Sequence, residues 1–143
     1  MGLNPCQLNK LPGALHLKQT LQPQPLQTLR LINRKKVSKS GSLQELRTEL
    51  LSINGVGKET ADSMILYAAN KPIFVVDAYT RRVLERHGIA GPEADYDGIQ
   101  AIFHRNLKED VAMFNDYHAQ FVAVGSNYCS GKARCSGCPL EGM

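Results

Sequence analysis

With 143 residues, 43% of them hydrophobic and none of them tryptophan, the chain has the size of one compact domain and is short for two. No stretch approaches the roughly 20 apolar residues that span a membrane, and the start lacks the apolar core of a secretory signal, so the expectation is an intracellular protein, cytoplasmic or nucleoid-associated. The net charge of +4 is unevenly spread: residues 1–57 hold eight Lys/Arg against two Glu, and residues 58–143 hold nine against eleven acids. A basic front favours polyanions through counterion release, although a run such as Arg34-Lys35-Lys36 reads better as a solvated loop than as a binding patch. In a reducing compartment the four cysteines read as potential metal ligands rather than disulfides.

Residues 1–41 form an irregular, basic segment in which Pro5, Pro12, Pro23 and Pro25 interrupt a Gln- and Leu-rich stretch, and no fold is assigned to it. Ser42 and Glu45 make a capping-box pattern, which starts a helix at Leu43 with Leu43, Leu46 and Leu50 on one face and an end near Ser52. After a glycine turn, Ala61, Met64, Ile65 and Ala68 recur at helical spacing from Lys58 until Asn70 and Pro72 stop the pattern. The apolar run Ile73–Val76 has no partner strand and reads as a buried connection to Asp77, the cap of a third helix ending near Gly88. Ile99, Ile102 and Phe103 mark a fourth helix. A longer fifth begins at Asp110 and carries Phe114, His118, Phe121, Val122 and Gly125 along one face. The periodicity is helical throughout, and the fold class is all-α.

Between the first two helices stands Asn54-Gly55-Val56-Gly57-Lys58-Glu59-Thr60. Two glycines allow backbone conformations closed to other residues and let a phosphate approach the turn amides and the following helix N-terminus, while Val56 packs inward. Such contacts position nucleic acid without reading its bases. The plainer reading is an αα-hairpin whose glycines only end one helix and begin another. The whole segment Leu50–Ala61 resembles a helix-hairpin-helix motif. That resemblance makes Asn54, Gly55, Val56, Gly57, Lys58 and Thr60 the expected contacts to duplex DNA.

Beyond the hairpin, Ile73-Phe74-Val75-Val76-Asp77-Ala78-Tyr79-Thr80-Arg81-Arg82-Val83 resembles the corresponding segment of endonuclease III and related DNA glycosylases of base-excision repair. The resemblance implies that Asp77 is the catalytic aspartate, set beside the sugar of a nucleotide flipped from the duplex. A fixed carboxylate there stabilises the oxocarbenium character that C1′ acquires as the glycosidic bond breaks. Asp77 reads equally as a helix N-cap, and the two roles are compatible. Strand-cleaving members carry a lysine immediately before the hairpin threonine, which attacks C1′ to form a Schiff base. Here that position is Glu59, and the adjacent Lys58 is turned about 100° away on a helix. The expectation is a monofunctional glycosylase without strong lyase activity, a departure that resembles the branch excising alkylated purines. Glu59 itself reads better as an ordinary first-turn acid favoured by the helix dipole than as a catalytic group.

The tail Cys129-x5-Cys135-x2-Cys138-Pro139-Leu140 resembles the iron–sulfur loop of the same enzymes, where four cysteines hold a 4Fe–4S cluster. The fourth would follow Met143, so the cluster is expected to be incomplete or labile. A zinc site of three thiolates with His118 is the rival, and His118 also reads as a hydrogen-bonded core residue. Cys6 has no motif around it and reads as a free thiol. The resemblance runs from about Ser42 to Leu140 and divides the chain into the segment 1–41, a helical glycosylase region at 42–128 and the cluster loop at 129–143. It implies a partial helical barrel, and the upstream helices that complete the barrel in the family are not matched, as in a chain truncated at both ends. Two functions stay open at this point: a DNA glycosylase, or a non-catalytic helix-hairpin-helix DNA-binding module.

Overall fold

The computed structural model describes residues 41–143. The proline-interrupted segment before them, with Arg34-Lys35-Lys36 and Cys6, lies outside the described residues. Five α-helices, and no strand among the described residues, make the fold all-α as the periodicity requires. Helix α1 (Leu43–Leu51) is closed by the capping box: Glu45 N–H donates to Ser42 Oγ at 3.2 Å and Ser42 N–H to Glu45 Oε2 at 2.8 Å. Its Leu46 and Leu50 are buried, and Leu43 packs on the edge of the core. Helices α3 (Ala78–Arg86), α4 (Tyr96–Asn106) and α5 (Val111–Asn127) are each capped by an aspartate, Asp77, Asp95 and Asp110 respectively.

One departure from simple periodicity matters for the site. Helix α2 (Lys58–Ser63) does not run on as an α-helix to Ala68 but widens into a π-helical turn, Met64–Ala68. The wider turn buries three consecutive apolar side chains, Met64, Ile65 and Leu66, and leaves Tyr67 at the surface. Asn70, at φ 53°, then ends the segment in the left-handed conformation that asparagine tolerates.

Ile73–Val76 is a buried connection rather than a strand, with all four side chains at most 3% exposed. An irregular backbone at that depth must find hydrogen-bond partners for its polar groups. Helix α4 supplies them from residues four apart on one face. His104 Nε2 accepts from Phe74 N–H (3.1 Å), Gln100 Nε2 donates to the Phe74 carbonyl (2.6 Å), and the Tyr96 hydroxyl accepts from Val76 N–H (3.4 Å). Because His104 Nε2 accepts, the proton belongs on Nδ1, which faces Glu109 at 3.1 Å. Phe74 also stacks on Phe103 (centroids 3.6 Å apart) and meets Phe114 edge-on, fixing the connection between α4 and α5. The segment that delivers Asp77 is therefore held on both its apolar and its polar sides.

Two further ties set the frame. Fully buried Asp62 on α2 accepts from Arg47 Nε (2.7 Å) and Nη2 (3.1 Å) on α1 and from Gln100 on α4 (2.7 Å), locking the two hairpin helices to α4. Helix α5 packs along α3 at Gly125, where an added Cβ would lie 2.7 Å from Tyr79 Cβ. Only glycine permits helices so close.

Candidate functional site

Asp77, expected from sequence as the catalytic aspartate, stands where α3 begins, and its two oxygens do different things. Oδ1 accepts the Thr80 N–H at 2.7 Å as the helix cap. Oδ2 lies 3.3 Å from His118 Nε2, an ion-pair distance without the alignment of a hydrogen bond. Burial works against ionisation of this carboxyl. The His118 ring and the Thr80 N–H together outweigh it and hold Asp77 below the ordinary carboxylate value. A single aspartate thus serves as cap through one oxygen while the other faces the site.

His118 sits on the inward face of α5 as a largely buried, hydrogen-bonded residue and is not gathered with the thiols, but its partners were not foreseen from the sequence. Besides Asp77, its ring meets the Tyr67 hydroxyl, 2.5 Å from Nδ1. The Tyr67 phenol is pushed up to about 12, first by desolvation of its hydroxyl, which lies against His118 while the ring edge stays exposed, and then by the charge of Asp77, so it keeps its proton. With the ring neutral, Tyr67 donates to Nδ1 and Nε2 carries the hydrogen. With the ring protonated, both nitrogens carry one. In either state an Nε2–H faces Asp77. Tyr67 and His118 are 51 residues apart, and nothing in the sequence pairs them. The only prior signal was that His118 shares the face of Phe114, Phe121 and Gly125.

Glu59, at the position before the hairpin threonine, belongs to the same electrostatic cluster. Its carboxyl is pushed up, first by reduced solvation and then by the charge of Asp77, with His118 partly offsetting. The neighbouring Lys58 turns away: its Nζ pairs with Asp97 at the start of α4, which also meets Arg47 at 3.3 Å. One helical residue of rotation separates an acid on the Asp77 side from a base tied to α4.

The hairpin forms as a tight turn. Ile53 accepts from Val56 N–H at 3.0 Å, and Gly55 takes φ 84°, which a residue with a Cβ adopts only under strain. Gly57 caps α2 with no side chain, so the first amides of α2 have no side-chain acceptor. Asn54, Gly55, Gly57 and Thr60 are exposed together, Lys58 is half-buried, and Val56 packs against the core as the anchor. Of the predicted DNA contacts, Lys58 is the one whose charge already has a partner.

The cysteine tail folds back onto α3. Arg82 Nε donates to the Cys129 carbonyl (2.6 Å), and Arg86 reaches Cys129 Sγ (3.1 Å) and the Gly131 carbonyl (2.9 Å). Cys138 N–H closes a turn on the Cys135 carbonyl at 2.9 Å. The three thiols differ in setting: Cys129 is buried, Cys138 half-buried and Cys135 exposed, and none is in a disulfide. Among the described residues no three His, Cys, Asp or Glu side chains are gathered closely enough to hold a metal ion. The thiols as placed offer no site for a single metal ion, and the zinc alternative through His118 finds no support there, since that ring engages Asp77 and Tyr67. Among the same residues no helix is long and apolar enough to cross a membrane.

No family model matches the sequence. Individual proteins do. A protein of Methanocaldococcus jannaschii provisionally named a DNA repair glycosylase is 51% identical over 96 residues, 67% of this chain and 44% of the relative. Proteins named endonuclease III from Sulfolobus acidocaldarius and Bacillus subtilis are 31% and 29% identical over 68% and 70% of this chain, covering 44% and 45% of their own lengths. The chain thus spans less than half the length of the curated relatives it matches.

Proposed function

We propose that this chain, endonuclease III-like in sequence over about two thirds of its length, acts in DNA repair as a glycosylase, with Asp77 as its catalytic residue and the glycine hairpin as its anchor on the phosphate backbone. The observation that carries the reading is the setting of Asp77. Its carboxylate is held ionised against burial, is fixed by the Thr80 N–H, and lies at the end of a segment that α4 and α5 immobilise. A preorganised anion at a partly desolvated position is what a developing positive charge on a sugar requires. The base leaves with the bonding electron pair, C1′ gains oxocarbenium character opposite Asp77, and water adds to C1′, its released proton balancing the one the departing base takes up.

Covalent chemistry through a lysine is not supported. Glu59 occupies the position before the hairpin threonine, within reach of the Asp77 charge, and the nearby Lys58 amine is committed to Asp97. The proposed enzyme therefore releases the base and leaves the strand intact. The hairpin residues Asn54, Gly55, Val56, Gly57, Lys58 and Thr60 contact the backbone of double-stranded DNA, chiefly through turn amides that have no side-chain cap. Cys129, Cys135 and Cys138 stand at the family's 4Fe–4S cluster positions, but no step of the reaction is assigned to a cluster.

The test is base release from duplexes carrying, in turn, an alkylated purine, an oxidised pyrimidine and a mismatched thymine, with borohydride present in parallel. Release by the unaltered chain, its loss in Asp77→Asn and the absence of a trapped adduct are expected. A borohydride-trapped adduct refutes the water mechanism. Salt-sensitive DNA binding with no release from any duplex replaces the enzyme with a DNA-binding module.

A further inference from the structure

We infer that His118, held by Tyr67, is the positioning residue for Asp77, a three-member chain in which the π-helical turn, α5 and the α3 cap converge. The inference rests on the reading of Asp77 as the catalytic residue and adds to it a device that keeps the carboxylate charged and aimed. Three observations support it. His118 Nε2 lies 3.3 Å from Oδ2, the oxygen that the helix cap leaves unused. Tyr67 Oη lies 2.5 Å from Nδ1, which fixes the ring orientation from its far side. The tyrosine is carried on the π-helical turn Met64–Ala68, and π turns recur at functional sites.

The energetics favour a functional role over a packing one. Both Asp77 and His118 have side chains 14% exposed, so the carboxylate is poorly solvated and needs a partner to stay ionised. The charged and titratable groups facing Asp77 are His118 from α5, Glu59 from α2 and Tyr67 from the π turn. Of these only His118 favours the anion; Glu59 when ionised opposes it. Removing the imidazole leaves burial opposed by the Thr80 N–H alone, and it leaves Oδ2 without its partner.

The experiment compares His118→Leu, His118→Gln and Tyr67→Phe in the full chain. The readouts are base release from whichever duplex the unaltered chain processes, its pH profile, and the carbon-13 titration of the Asp77 carboxyl. His118→Leu should lower kcat roughly ten- to hundredfold with KM little changed and move the acid limb of the profile upward. His118→Gln, whose amide can place a donor near Nε2, should recover part of kcat but not the position of the limb. Tyr67→Phe keeps the exposed ring and should lower kcat several-fold. A packing role predicts that leucine serves as well as glutamine, with an unmoved limb, and that result overturns the proposal. If His118→Leu does not fold, unaltered kcat and Asp77 titration in Tyr67→Phe and His118→Gln overturn it instead. Full base release by Asp77→Asn would sink the underlying reading; a dead Asp77→Asn beside an unaffected His118→Gln and His118→Leu sinks only this inference. Should no duplex be processed, the titration decides: the Asp77 midpoint must rise in His118→Leu.

Discussion

Gly125→Ala is a one-methyl change whose consequence follows from the closest helix contact in the fold. The new Cβ would meet Tyr79 Cβ and Cδ1 at 2.7 Å and Cγ at 3.0 Å. Comfortable carbon contacts begin near 3.5 Å, so close to 1 Å of separation has to be created. The Tyr79 Cβ is fixed to the α3 backbone, and rotating the ring does not relieve it. Nor is the ring free: Arg82 lies over it at 5.2 Å while donating to the Cys129 carbonyl beyond α5. Overpacking of this kind costs about 1–3 kcal/mol, and a backbone-anchored clash belongs at the upper end. Alanine's better helix propensity returns about 1 kcal/mol. The net expectation is a loss of about 2 kcal/mol, read as a lower urea midpoint with unchanged slope. His118 lies two turns before Gly125 on the same face, so separating α5 from α3 should also widen the gap to Asp77 and lower base release. Gly91→Ala is the control, because nothing lies within 4 Å of its Cβ and its effect should stay within about 0.5 kcal/mol. If Gly125→Ala is as stable as the unaltered chain or more so, propensity has gone unopposed and the close-contact argument is refuted.

Arg47→Ala leaves Asp62 buried with its cationic partner gone, and chemical denaturation should show a loss of about 3–5 kcal/mol, whereas Arg47→Lys should retain part of the pair. His104→Leu removes the acceptor for Phe74 N–H and should cost about 1–3 kcal/mol by the same assay, with hydrogen exchange at Phe74 accelerated. Lys58→Ala should weaken duplex binding equally for all sequences and reduce the salt slope by about 1, whereas Asp97→Asn, which releases the lysine, should tighten binding. An unchanged slope in Lys58→Ala would remove that residue from the phosphate contacts. Asp77 has a lowered folded-state pKa, so its contribution to stability is present above the unfolded value of about 3.9 and is lost as pH falls through the lower folded value. The stability difference between the unaltered chain and Asp77→Asn should accordingly shrink on acidification through that window, as urea titrations at stepped pH would show.

Local rules written in a few adjacent residues determined much of this protein. Ser42 with Glu45 forms a capping box wherever the backbone turns helical, Gly55 allows the hairpin turn, and Asp77, Asp95 and Asp110 cap the helices that follow them. The buried course of Ile73–Val76 was equally readable, since four apolar residues without a partner strand have nowhere else to go. What sequence could not reveal depends on residues brought together from far along the chain. The π-helical turn is one case: the Met64–Ala68 pattern suits an α-helix, and the widening appears only when three consecutive side chains all enter the core. The polar ladder from Tyr96, Gln100 and His104 is another, because those side chains have a purpose only once an extended backbone lies beside α4. The tertiary structure alone decided that Lys58 answers Asp97, that the three thiols stand apart, and that His118 faces Asp77 rather than the cysteines. The physical reason is one of range: caps and turns are settled by hydrogen bonds a few residues away, whereas the charge state and aim of a buried carboxylate are set by whatever the folded chain places within about 4 Å of it.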